Sequence, residues 1–506
     1  MFEGAKTGRK VSKSVFKKEE DELRTLLLNR QFALRKAKIP LVVIIAGMEA
    51  AGKSEVVNKL DEWLDSSGIQ VHAFWDPSDE ECERPRYWRF WRTMPPKGQM
   101  AILFGGWYMQ PIEQRYLDQC DDAQLERDLR RIRDFERMLV EDGMMVVKFW
   151  YHLNEETQRE RLKQRARDSE HDRWKMLPTK KSHFDEHYEK FEHVAEQVVR
   201  HTDSYHSPWN VVEATDENYC QLTTGKLLLQ AIEQRLNAID ENETPDTTLG
   251  DIALPDDPAA RVTVLDNLDM SLALKKDDYN KQLKSLQAEM RELAWLAYHQ
   301  RRSVVMAFEG VDAGGKGGAI RRCTEAIDAR LYRTISIGAP TDEEHAHHYL
   351  WRFWRHIPRA GYMTIFDRSW YGRVLVERVE GFTPASRWRP AYMEINNFEE
   401  QLCEHGIIVL KFWLQITEDE QLERFQARQE TPYKSHKITE EDWRNREKWD
   451  DYCMAVNDMV EHTSTEQAPW HLIAANNKRY ARIQVLSTVV DTLRRELSDS
   501  GSHKHK

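Results

Sequence analysis

Two short stretches of the chain combine glycines and a lysine at the spacing of a phosphate-binding loop. The first, "GMEAAGKS" (47–54), matches the pattern G-x-x-x-x-G-K-[ST] at every position. The second, "GVDAGGKG" (310–317), fails only at its last position, where Gly317 replaces the hydroxyl residue. In such a loop, backbone N–H groups at a helix N-terminus surround an anion, and the lysine ammonium reaches the transferred phosphates. Both stretches therefore indicate phosphate binding, and other residues must decide which of them is catalytic.

Two aspartates and several arginines accompany the second glycine stretch. Asp312 lies inside the loop, and the later segment "FDRSWYGR" contains Asp367 and Arg368. Because Gly317 offers no hydroxyl, we expect Asp312 and Asp367 to supply carboxylate oxygens to Mg²⁺ instead. Arginine guanidinium groups bind phosphate oxygens in a bidentate manner. The expected phosphate-binding residues are Gly310, Gly315, Lys316, Gly317, Gly318, Arg352, Arg355 and Arg373.

A third basic stretch lies further along the chain, in residues 424–449. It mixes arginines and lysines with acidic residues. One interpretation is a solvated helical hairpin, and the other is a lid that closes over bound phosphates. The residues expected to act from such a lid are Arg428, Lys434, Lys437 and Arg444.

The elements that must position these residues occur twice in the chain. Gly47 and Lys53 recur 263 positions later as Gly310 and Lys316, and many other residues follow the same register. Chance does not produce such a register, so the chain is predicted to be a tandem duplication. The further matching pairs are Trp88 and Trp351, Phe90 and Phe353, Trp91 and Trp354, Trp107 and Trp370, Tyr108 and Tyr371, Lys148 and Lys411, Phe149 and Phe412, Trp150 and Trp413, and Arg161 and Arg424.

The duplication predicts two domains joined by a linker. Residues 241–260 are acidic, rich in proline and threonine, and without a period, which is typical of an interdomain linker. We therefore expect an N-terminal kinase-like domain at 1–240 and a C-terminal domain at 261–506.

Within each copy, the residue pattern favours an α/β fold with a mainly parallel sheet. In the second copy, "SVVMAFEG" predicts a buried strand, the glycine loop follows it, and "GAIRRCTEAIDARL" carries a helical pattern. The runs "RTISIGAP", "YMTIFDRS" and "GIIVLKFWLQI" are short, apolar and separated by helical segments. Ligands of such sheets bind at the carboxyl ends of the strands. Asp312 and Asp367 fall at these ends, so we expect them to share one crevice.

The register of the repeat predicts that only the second copy is catalytic. Phe104 stands where the second copy has Asp367, and Gly105 stands where it has Arg368. Without that carboxylate a magnesium ion has too few protein ligands, and without that arginine the charge on the transferred group is uncompensated. The remaining replacements are Glu49 for Asp312, Ala46 for Glu309 and Gly106 for Ser369. The loop that fits the pattern perfectly is thus expected to belong to a degenerate, non-catalytic copy.

Three segments of the chain resemble signatures of the family-2 polyphosphate kinases. They are "EGVDAGGKGG" (309–318), "FDRSWYGRVLVERVEGF" (366–382) and "APW" (468–470). The family's loop has G-K-G where ordinary nucleotide kinases have G-K-[ST], as residues 315–317 do here. The duplication resembles the two-domain polyphosphate:AMP phosphotransferases, and the resemblance spans nearly the whole chain. Many one-domain members carry asparagine where this chain has Gly372, a departure that fits the fused subgroup better.

The resemblance implies a thymidylate-kinase-like core with a helical lid. Inorganic polyphosphate would occupy a basic channel and pass its terminal phosphoryl to AMP. The phosphate oxygen of AMP is already a charged nucleophile, so the site needs positioning and charge neutralisation more than a strong base. Lys316, Arg368 and Mg²⁺ would supply that neutralisation, while the two aspartates bind the metal and position the phosphates. The predicted catalytic residues are therefore Asp312, Lys316, Asp367 and Arg368.

Two other functions remain compatible with this core. An ATP-dependent nucleoside monophosphate kinase would share it, although the missing hydroxyl residue after Lys316 counts against that function. A non-catalytic sensor of polyphosphate or nucleotide would carry two remnant loops, which the complete residue set of the second copy opposes.

The composition of the chain limits its partners and compartment. A net charge of −11 argues against a surface that coats nucleic acid or an anionic membrane. Six cysteines without a C-x-x-C pair predict free thiols in a reducing cytoplasm. The longest apolar runs have the length of strands, so neither a membrane span nor a targeting peptide is predicted. Polyphosphate and AMP are the expected partners, and a homo-oligomer stays open.

Overall fold

The computed structural model describes residues 1–171, 187–240, 263–430 and 440–498. The expected linker and the expected lid residues Lys434 and Lys437 lie outside the described residues. The chain divides into two compact units. One contains Met1–Asp76, Arg89–Thr247 and His345–His348, and the other contains Pro77–Trp88, Thr248–Glu344 and Tyr349–Lys506.

Each half of the chain forms a five-stranded sheet whose strand pairs are all parallel. The N-terminal strands are β1 (Leu41–Gly47), β2 (Ile69–Ala73), β3 (Met100–Phe104), β4 (Met145–His152) and β5 (Trp209–Glu213), in the order β2-β3-β1-β4-β5. The C-terminal strands are β6 (Val304–Gly310), β7 (Tyr332–Ser336), β8 (Met363–Asp367), β9 (Ile408–Gln415) and β10 (Trp470–Ala474), in the order β7-β8-β6-β9-β10. The two orders are the same, which confirms the predicted duplication of a parallel α/β fold.

Helices connect the strands in both halves. The N-terminal helices are α1 (Lys13–Lys36), α2 (Lys53–Trp63), α3 (Asp79–Cys82), α4 (Trp88–Trp91), α5 (Met109–Tyr116), α6 (Asp122–Glu141), α7 (Glu155–His171), α8 (Tyr188–Thr202) and α9 (Glu217–Asp240). The C-terminal helices are α10 (Lys276–His299), α11 (Lys316–Thr324), α12 (Asp342–His345), α13 (Trp351–Trp354), α14 (Val376–Val379), α15 (Ala385–Trp388), α16 (Ala391–Glu404), α17 (Glu418–Gln429), α18 (Glu440–Glu447), α19 (Trp449–Thr463) and α20 (Lys478–Ser498). No described helix is long and apolar enough to cross a membrane.

The core of the C-terminal half lies between the sheet and helices α10, α11 and α20. Apolar side chains of these three helices form one buried cluster with β6, β8 and β9. Strand β9 is buried along its whole length, as is typical of a central parallel strand covered on both faces. This packing holds the ends of β6, β8 and β9 in fixed register, with Phe308 beside both Asp367 and Phe412.

Helix α11 is shorter than the sequence predicts. The helical pattern extends over residues 318–331, but the helix ends at Thr324. The carboxylate of Asp328 accepts hydrogen bonds from the backbone N–H and the guanidinium of Arg330, which favours a turn. The apolar residues beyond Thr324 therefore enter the core from this turn instead of from a helix.

The recurring lysine in the middle of β4 and β9 belongs to a buried polar network. Lys411 Nζ donates to Glu399 at 2.7 Å, to the Tyr371 hydroxyl at 2.9 Å and to the carbonyl of Thr463 at 2.6 Å. Burial lowers the pKa of Lys411, and the Glu399 carboxylate opposes that shift. The equivalent bonds of Lys148 reach Glu136, Tyr108 and Thr202. Since both halves keep the network, it stabilises the fold, and it gives no reason to place chemistry at these lysines.

Candidate active site

Strand β6 leads directly into the glycine loop of the C-terminal half. Gly310 has a φ of 151°, and a Cβ atom there would lie 2.5 Å from the carbonyl oxygen of Leu414. Gly315 precedes α11 in a left-handed conformation with a φ of 107°. Both positions need glycine, because a side chain would collide with β9 or strain the turn. The loop thereby presents the N-terminus of α11 to the carboxyl edge of the sheet, where anions bind favourably.

The lysine of the loop has the same local geometry in both halves. Lys316 Nζ donates to the carbonyl oxygen of Gly310 at 2.6 Å. Lys53 Nζ donates to the carbonyl oxygens of Gly47 at 2.7 Å and Met48 at 2.8 Å. The loop backbone alone therefore does not distinguish the two copies.

Arg424 bridges the glycine loop and the residues that follow β10. It is only 5% exposed, and its guanidinium donates to the carbonyl oxygens of Ala313 at 2.8 Å, Ala475 at 2.7 Å and Asn476 at 2.8 Å. This arginine lies in the basic stretch with the expected lid residues, but its side chain is a structural support of the loop. The matching Arg161 makes the same three kinds of bond, to Ala50, Ala214 and Thr215.

The structure brings the two predicted metal ligands to the same edge of the sheet. The carboxylate of Asp312 accepts from Arg368 Nη2 at 3.4 Å and from Asn445 Nδ2 at 2.9 Å. Asp367 is the last residue of β8, and within the described part of the chain its carboxylate has no hydrogen-bond or ion-pair partner. Each Asp312 oxygen accepts one bond and keeps further lone pairs, so the two carboxylates fit a hard divalent cation. Within the described residues, no cluster of three acidic, histidine or cysteine side chains forms a complete metal site.

Arg368 reaches the loop from an unusual backbone conformation. Its φ is 64°, in the left-handed region, which costs a residue with a side chain about 1–3 kcal/mol. Its N–H still bonds to the carbonyl of Phe308 at 3.0 Å, which continues the β6–β8 pairing. Partial burial lowers the pKa of Arg368, but the carboxylates of Asp312 and Glu309 outweigh this and raise it. The guanidinium is therefore held fully charged beside the loop.

Glu309 holds the turn after β8, a role that the sequence did not suggest. It is 6% exposed, and its carboxylate accepts from the backbone N–H of Ser369 at 2.7 Å and from the Ser369 hydroxyl at 2.8 Å. Burial raises the pKa of Glu309, while the charge of Lys316 opposes that shift. The available signal was the repeat register, since Ala46 and Gly106 occupy these positions in the N-terminal half.

Three arginines expected at the phosphates form ion pairs with neighbouring acids. Arg352 pairs with Glu344 at 3.1 Å, and Arg355 pairs with Glu343 at 3.1 Å. Arg373 pairs with Glu377 at 2.8 Å, donates to Thr383 at 2.7 Å and lies over the ring of Tyr349. Arg444, expected in the lid, pairs with Glu380 at 3.0 Å. In this geometry none of the four guanidinium groups contacts the described glycine loop.

Two arginines at the start of α11 belong to a group of four mutually interacting cations, which we call the α11 cation cluster. It consists of Arg424, Arg428, Lys478 and Arg482. Burial lowers the pKa of Lys478, and the charges of the three arginines lower it further. A Cβ atom on Gly318 would lie 3.2 Å from Arg482 Nη2, which places this guanidinium beside the helix start. Of these residues, only Arg428 was predicted at the site.

The N-terminal half has different side chains at several of these places. Lys53 Nζ lies 5.9 Å from the ring centre of Phe104, the residue at the position of Asp367. Glu55 stands at the position of Gly318. A Cβ atom placed on Gly52 would lie 3.8 Å from Glu55 Oε2, so this carboxylate lies near the start of α2. The residues 261 positions before Lys478 and Arg482 are Glu217 and Gln221. At the positions of Lys478 and Arg482 the N-terminal half therefore has an acidic and a neutral side chain, whereas Arg161 and Arg165 keep the charges of Arg424 and Arg428.

Comparisons with known proteins agree with this duplicated arrangement. The family model of polyphosphate kinase 2 matches residues 10–239 and again residues 273–500. A polyphosphate:AMP phosphotransferase of Pseudomonas aeruginosa is 48% identical over 496 residues, covering 97% of this chain and 98% of that protein. A polyphosphate:AMP phosphotransferase of Acinetobacter johnsonii is 36% identical and covers 94% of this chain and 96% of that protein.

A solved structure resembles the chain over nearly its whole length. It is a crystal structure described as a polyphosphate kinase 2 of Pseudomonas aeruginosa PA01, with a TM-score of 0.87 and 46% sequence identity. The match covers 99% of this chain and 100% of the other.

Proposed function

The chain belongs to the polyphosphate kinase 2 family, and we propose that it transfers the terminal phosphoryl group of inorganic polyphosphate to AMP, giving ADP. The observation that carries this proposal is the 48% identity, over 97% of this chain and 98% of the relative, with a polyphosphate:AMP phosphotransferase. The residues around the C-terminal glycine loop that the N-terminal half lacks add a chemical reason. This loop lacks the hydroxyl residue that most nucleotide kinases use, and it lies beside two carboxylates and an arginine. Such a site suits transfer between two phosphate chains.

The proposed reaction needs positioning and charge compensation. An oxygen of the AMP phosphate attacks the terminal phosphorus of polyphosphate, and the bond to the next phosphate of the chain breaks. Lys316 and Arg368 compensate the negative charge on the transferred group and on the shortened polyphosphate. The fixed glycine loop, supported by Arg424, holds the donor phosphates in line with the acceptor.

We propose that Mg²⁺ is the cation of this site and that Asp312 and Asp367 hold it. Two carboxylates are a typical protein contribution to a magnesium site, because phosphate oxygens and water complete the shell. The ion would screen the charge of the two phosphate chains, and the protein's own task is to keep the two aspartates at adjacent strand ends.

The α11 cation cluster is the proposed contact for the polyphosphate chain. Its side chains are positive although the whole protein carries a net charge of −11, so the attraction to a polyanion is local. Arg428 and Arg482 lie on different helices, α17 and α20, and both interact electrostatically with Arg424. A chain of phosphates extending from the loop would contact several of these groups at once.

We propose that the N-terminal half, residues 1–240, is non-catalytic and that the C-terminal half, residues 261–506, carries the active site. Support comes from the loss of both the strand-end carboxylate and its arginine, replaced by Phe104 and Gly105. The intact loop backbone and the Arg161 bridge suggest that the N-terminal half persists for its fold.

We also place the enzyme in the cytoplasm. All six cysteines are free thiols in the structure, which is typical of proteins in a reducing compartment.

The experiment that tests the function measures ADP formed from AMP and Mg²⁺ with polyphosphate or with ATP as the only donor. We expect ADP with polyphosphate, and roughly a hundredfold less or lower still from the Lys316→Ala variant. ADP formation with ATP alone would instead assign an ATP-dependent nucleoside monophosphate kinase. No product with either donor, from a protein with a normal melting curve, would assign a non-catalytic sensor.

A further inference from the structure

A neutral amide contacts the Asp312 carboxylate oxygen that Arg368 does not contact. Asn445 lies on α18, and its Nδ2 donates to Asp312 Oδ2 at 2.9 Å, while Arg368 contacts Oδ1 at 3.4 Å. The two donors fix both carboxylate oxygens and hence the plane of the group. Neither the glycine pattern nor the spacing of the charged residues pointed to an asparagine in this place.

The Asn445 amide lies between Asp312 and the hydroxyl of Tyr452. Tyr452 lies on α19, and its hydroxyl is 3.3 Å from Asn445 Oδ1 and 3.5 Å from Glu380 Oε1. The Asp312 carboxylate only accepts, so the NH₂ group of the amide must face it, and the Tyr452 hydroxyl supports this orientation as a donor beside Oδ1. Burial raises the pKa of Tyr452, and the Glu380 carboxylate raises it further, so the phenol keeps its proton.

Glu380 anchors the two helices that carry these residues. Its side chain is 4% exposed, and its carboxylate accepts from Arg444 Nε at 3.0 Å and from Lys448 Nζ at 3.1 Å. A buried carboxylate is costly without such partners, so the ion pairs hold α18 and the start of α19 against the segment that follows β8. A continuous path of contacts thus runs from Glu380 through Tyr452 and Asn445 to Asp312.

The N-terminal half lacks two members of this path. Leu117 stands 263 positions before Glu380, and Phe191 stands 261 positions before Tyr452. The shift of 261 is the local one, because Thr202 and Thr463 make the same bond to the buried lysine of their half. The counterpart of Asn445 lies outside the described residues. The copy with the degenerate site therefore has apolar side chains where the other copy has the carboxylate and the hydroxyl.

We infer that Asn445, Tyr452 and Glu380 are positioning residues that orient the carboxylate of Asp312 in the C-terminal site. The inference rests on the proposed function, in which Asp312 acts on the metal and the phosphates. Asn445 fixes the carboxylate, Tyr452 fixes the amide, and Glu380 fixes the helices. With Arg368 and Asn445 occupying one lone pair on each oxygen, the remaining lone pairs point in one defined direction. A carboxylate that could rotate would adopt this orientation only part of the time, so the reaction would be slower.

Activity with AMP and polyphosphate gives the first test. The Asn445→Ala variant should lose roughly tenfold in kcat with an almost unchanged KM for polyphosphate, the scale typical of groups that orient a catalytic ligand. Asn457→Ala is the matched control, because this amide on α19 bonds to the carbonyl of Cys453 and does not touch Asp312. Combined with Asp312→Ala, the Asn445→Ala change should cause no further loss. A full additional tenfold loss in that double variant would overturn the inference.

The Asn445→Asp variant gives a readout that a purely structural role would not move. The charged groups that interact with Arg368 and Tyr452, on either side of this position, include Asp312, Glu309, Asp367, Glu441, Glu380 and Arg444. Lys448 pairs with Glu380. A second carboxylate beside Asp312 raises the pKa of the pair, so the acidic limb of the kcat profile should shift to higher pH. An unshifted limb in Asn445→Asp, with activity within twofold of the parent, would contradict the positioning role.

A measurement of stability separates failure of this inference from failure of the proposed function. Two adjacent carboxylates repel each other when ionised, so Asn445→Asp should lower the melting temperature more at pH 8 than at pH 5, where protonation of the pair relieves the repulsion. This difference is expected whether or not the parent protein makes ADP. An equal loss at both pH values would show that Asn445 does not contact Asp312 in solution, whereas a parent protein without ADP formation would overturn only the proposed reaction.

Discussion

The two halves of the molecule share a backbone and differ in a small number of side chains. Both place a glycine loop at the end of a central parallel strand, with the loop lysine bonded to loop carbonyls. Both support the loop with an arginine that bonds to backbone carbonyls, Arg161 in one half and Arg424 in the other. At the end of the neighbouring strand, however, one half has Phe104 and the other has Asp367. The comparison shows that both halves keep the backbone of a phosphate-binding loop, although the side chains around it differ.

The two halves also differ in the charge at the start of the helix that follows the glycine loop. In the C-terminal half the first turn of α11 begins with glycines and lies beside Arg482, whereas in the N-terminal half Glu55 stands in the first turn of α2. Negative charge at a helix N-terminus is favourable for the helix, so Glu55 stabilises α2 while occupying the place of an anion. The loop that matches the phosphate-binding pattern at every position is therefore the one whose surroundings suit a phosphate chain less.

Replacing Asp367 with the N-terminal residue should have the largest effect on activity. We expect Asp367→Phe to reduce kcat by roughly a hundredfold or more, because the site loses one of its two metal-binding carboxylates and its charge balance. Steady-state ADP formation measures this, and the melting curve checks that the apolar side chain is tolerated. Asp367→Asn is the isosteric companion variant, and parent-like activity in Asp367→Asn would contradict the assignment of this carboxylate.

The two bridging arginines should separate stability from activity. Arg161→Ala and Arg424→Ala each remove bonds to three buried carbonyls, so we expect each to destabilise its own half by about 3 kcal/mol. Only Arg424→Ala should also lower kcat, by roughly tenfold, because it loosens the catalytic loop. Calorimetry and ADP assays measure the two effects. A comparable loss of kcat in Arg161→Ala would show that the N-terminal loop takes part in the reaction.

Replacing residues of the α11 cation cluster with their counterparts from the N-terminal half should change the KM for polyphosphate more than the KM for AMP. Lys478→Glu and Arg482→Gln reproduce Glu217 and Gln221, and we expect each to raise the KM for polyphosphate by roughly five- to tenfold, or about 1 kcal/mol, with little change for AMP. The dependence of this KM on ionic strength should also become weaker, since fewer cations contact the polyanion. Equal changes in the KM values of polyphosphate and AMP would argue against an extended contact with the donor. Arg479→Gln on the same helix is the control for surface charge.

The sequence sufficed for the parts of the site that local pattern determines. The strand, glycine loop and helix succession is a local feature, and Asp367 is recognisable as a polar residue that ends an apolar run. The repeat register then identified the differences between the halves, because both copies serve as an internal comparison. The parallel sheet in each half followed from the alternation of strands and helices, although β10 and the long helices α1 and α10 were not foreseen.

The remaining parts of the site depend on contacts between distant segments. Asn445 reaches Asp312 across 133 residues, and the Arg424 guanidinium reaches Asn476 across 52 residues. No spacing rule relates such positions before the chain is folded. The ion pairs of Arg352, Arg355 and Arg373 with acids within twelve residues along the chain were likewise not predicted, and their phosphate contacts stay a prediction. An arginine near a glycine loop in sequence can as easily pair with a neighbouring carboxylate.

The smallest expected effect tests the central claim, that the C-terminal half alone performs the reaction. Lys53→Ala and Lys316→Ala remove the same side chain from two loops of the same geometry, so each is the matched control for the other. The measurement is kcat for ADP formation from AMP and polyphosphate, with melting curves of both variants. We expect Lys53→Ala to stay within a few-fold of the parent and Lys316→Ala to lose roughly a hundredfold or more. A loss in Lys53→Ala as large as that in Lys316→Ala, with the fold intact, would contradict the account.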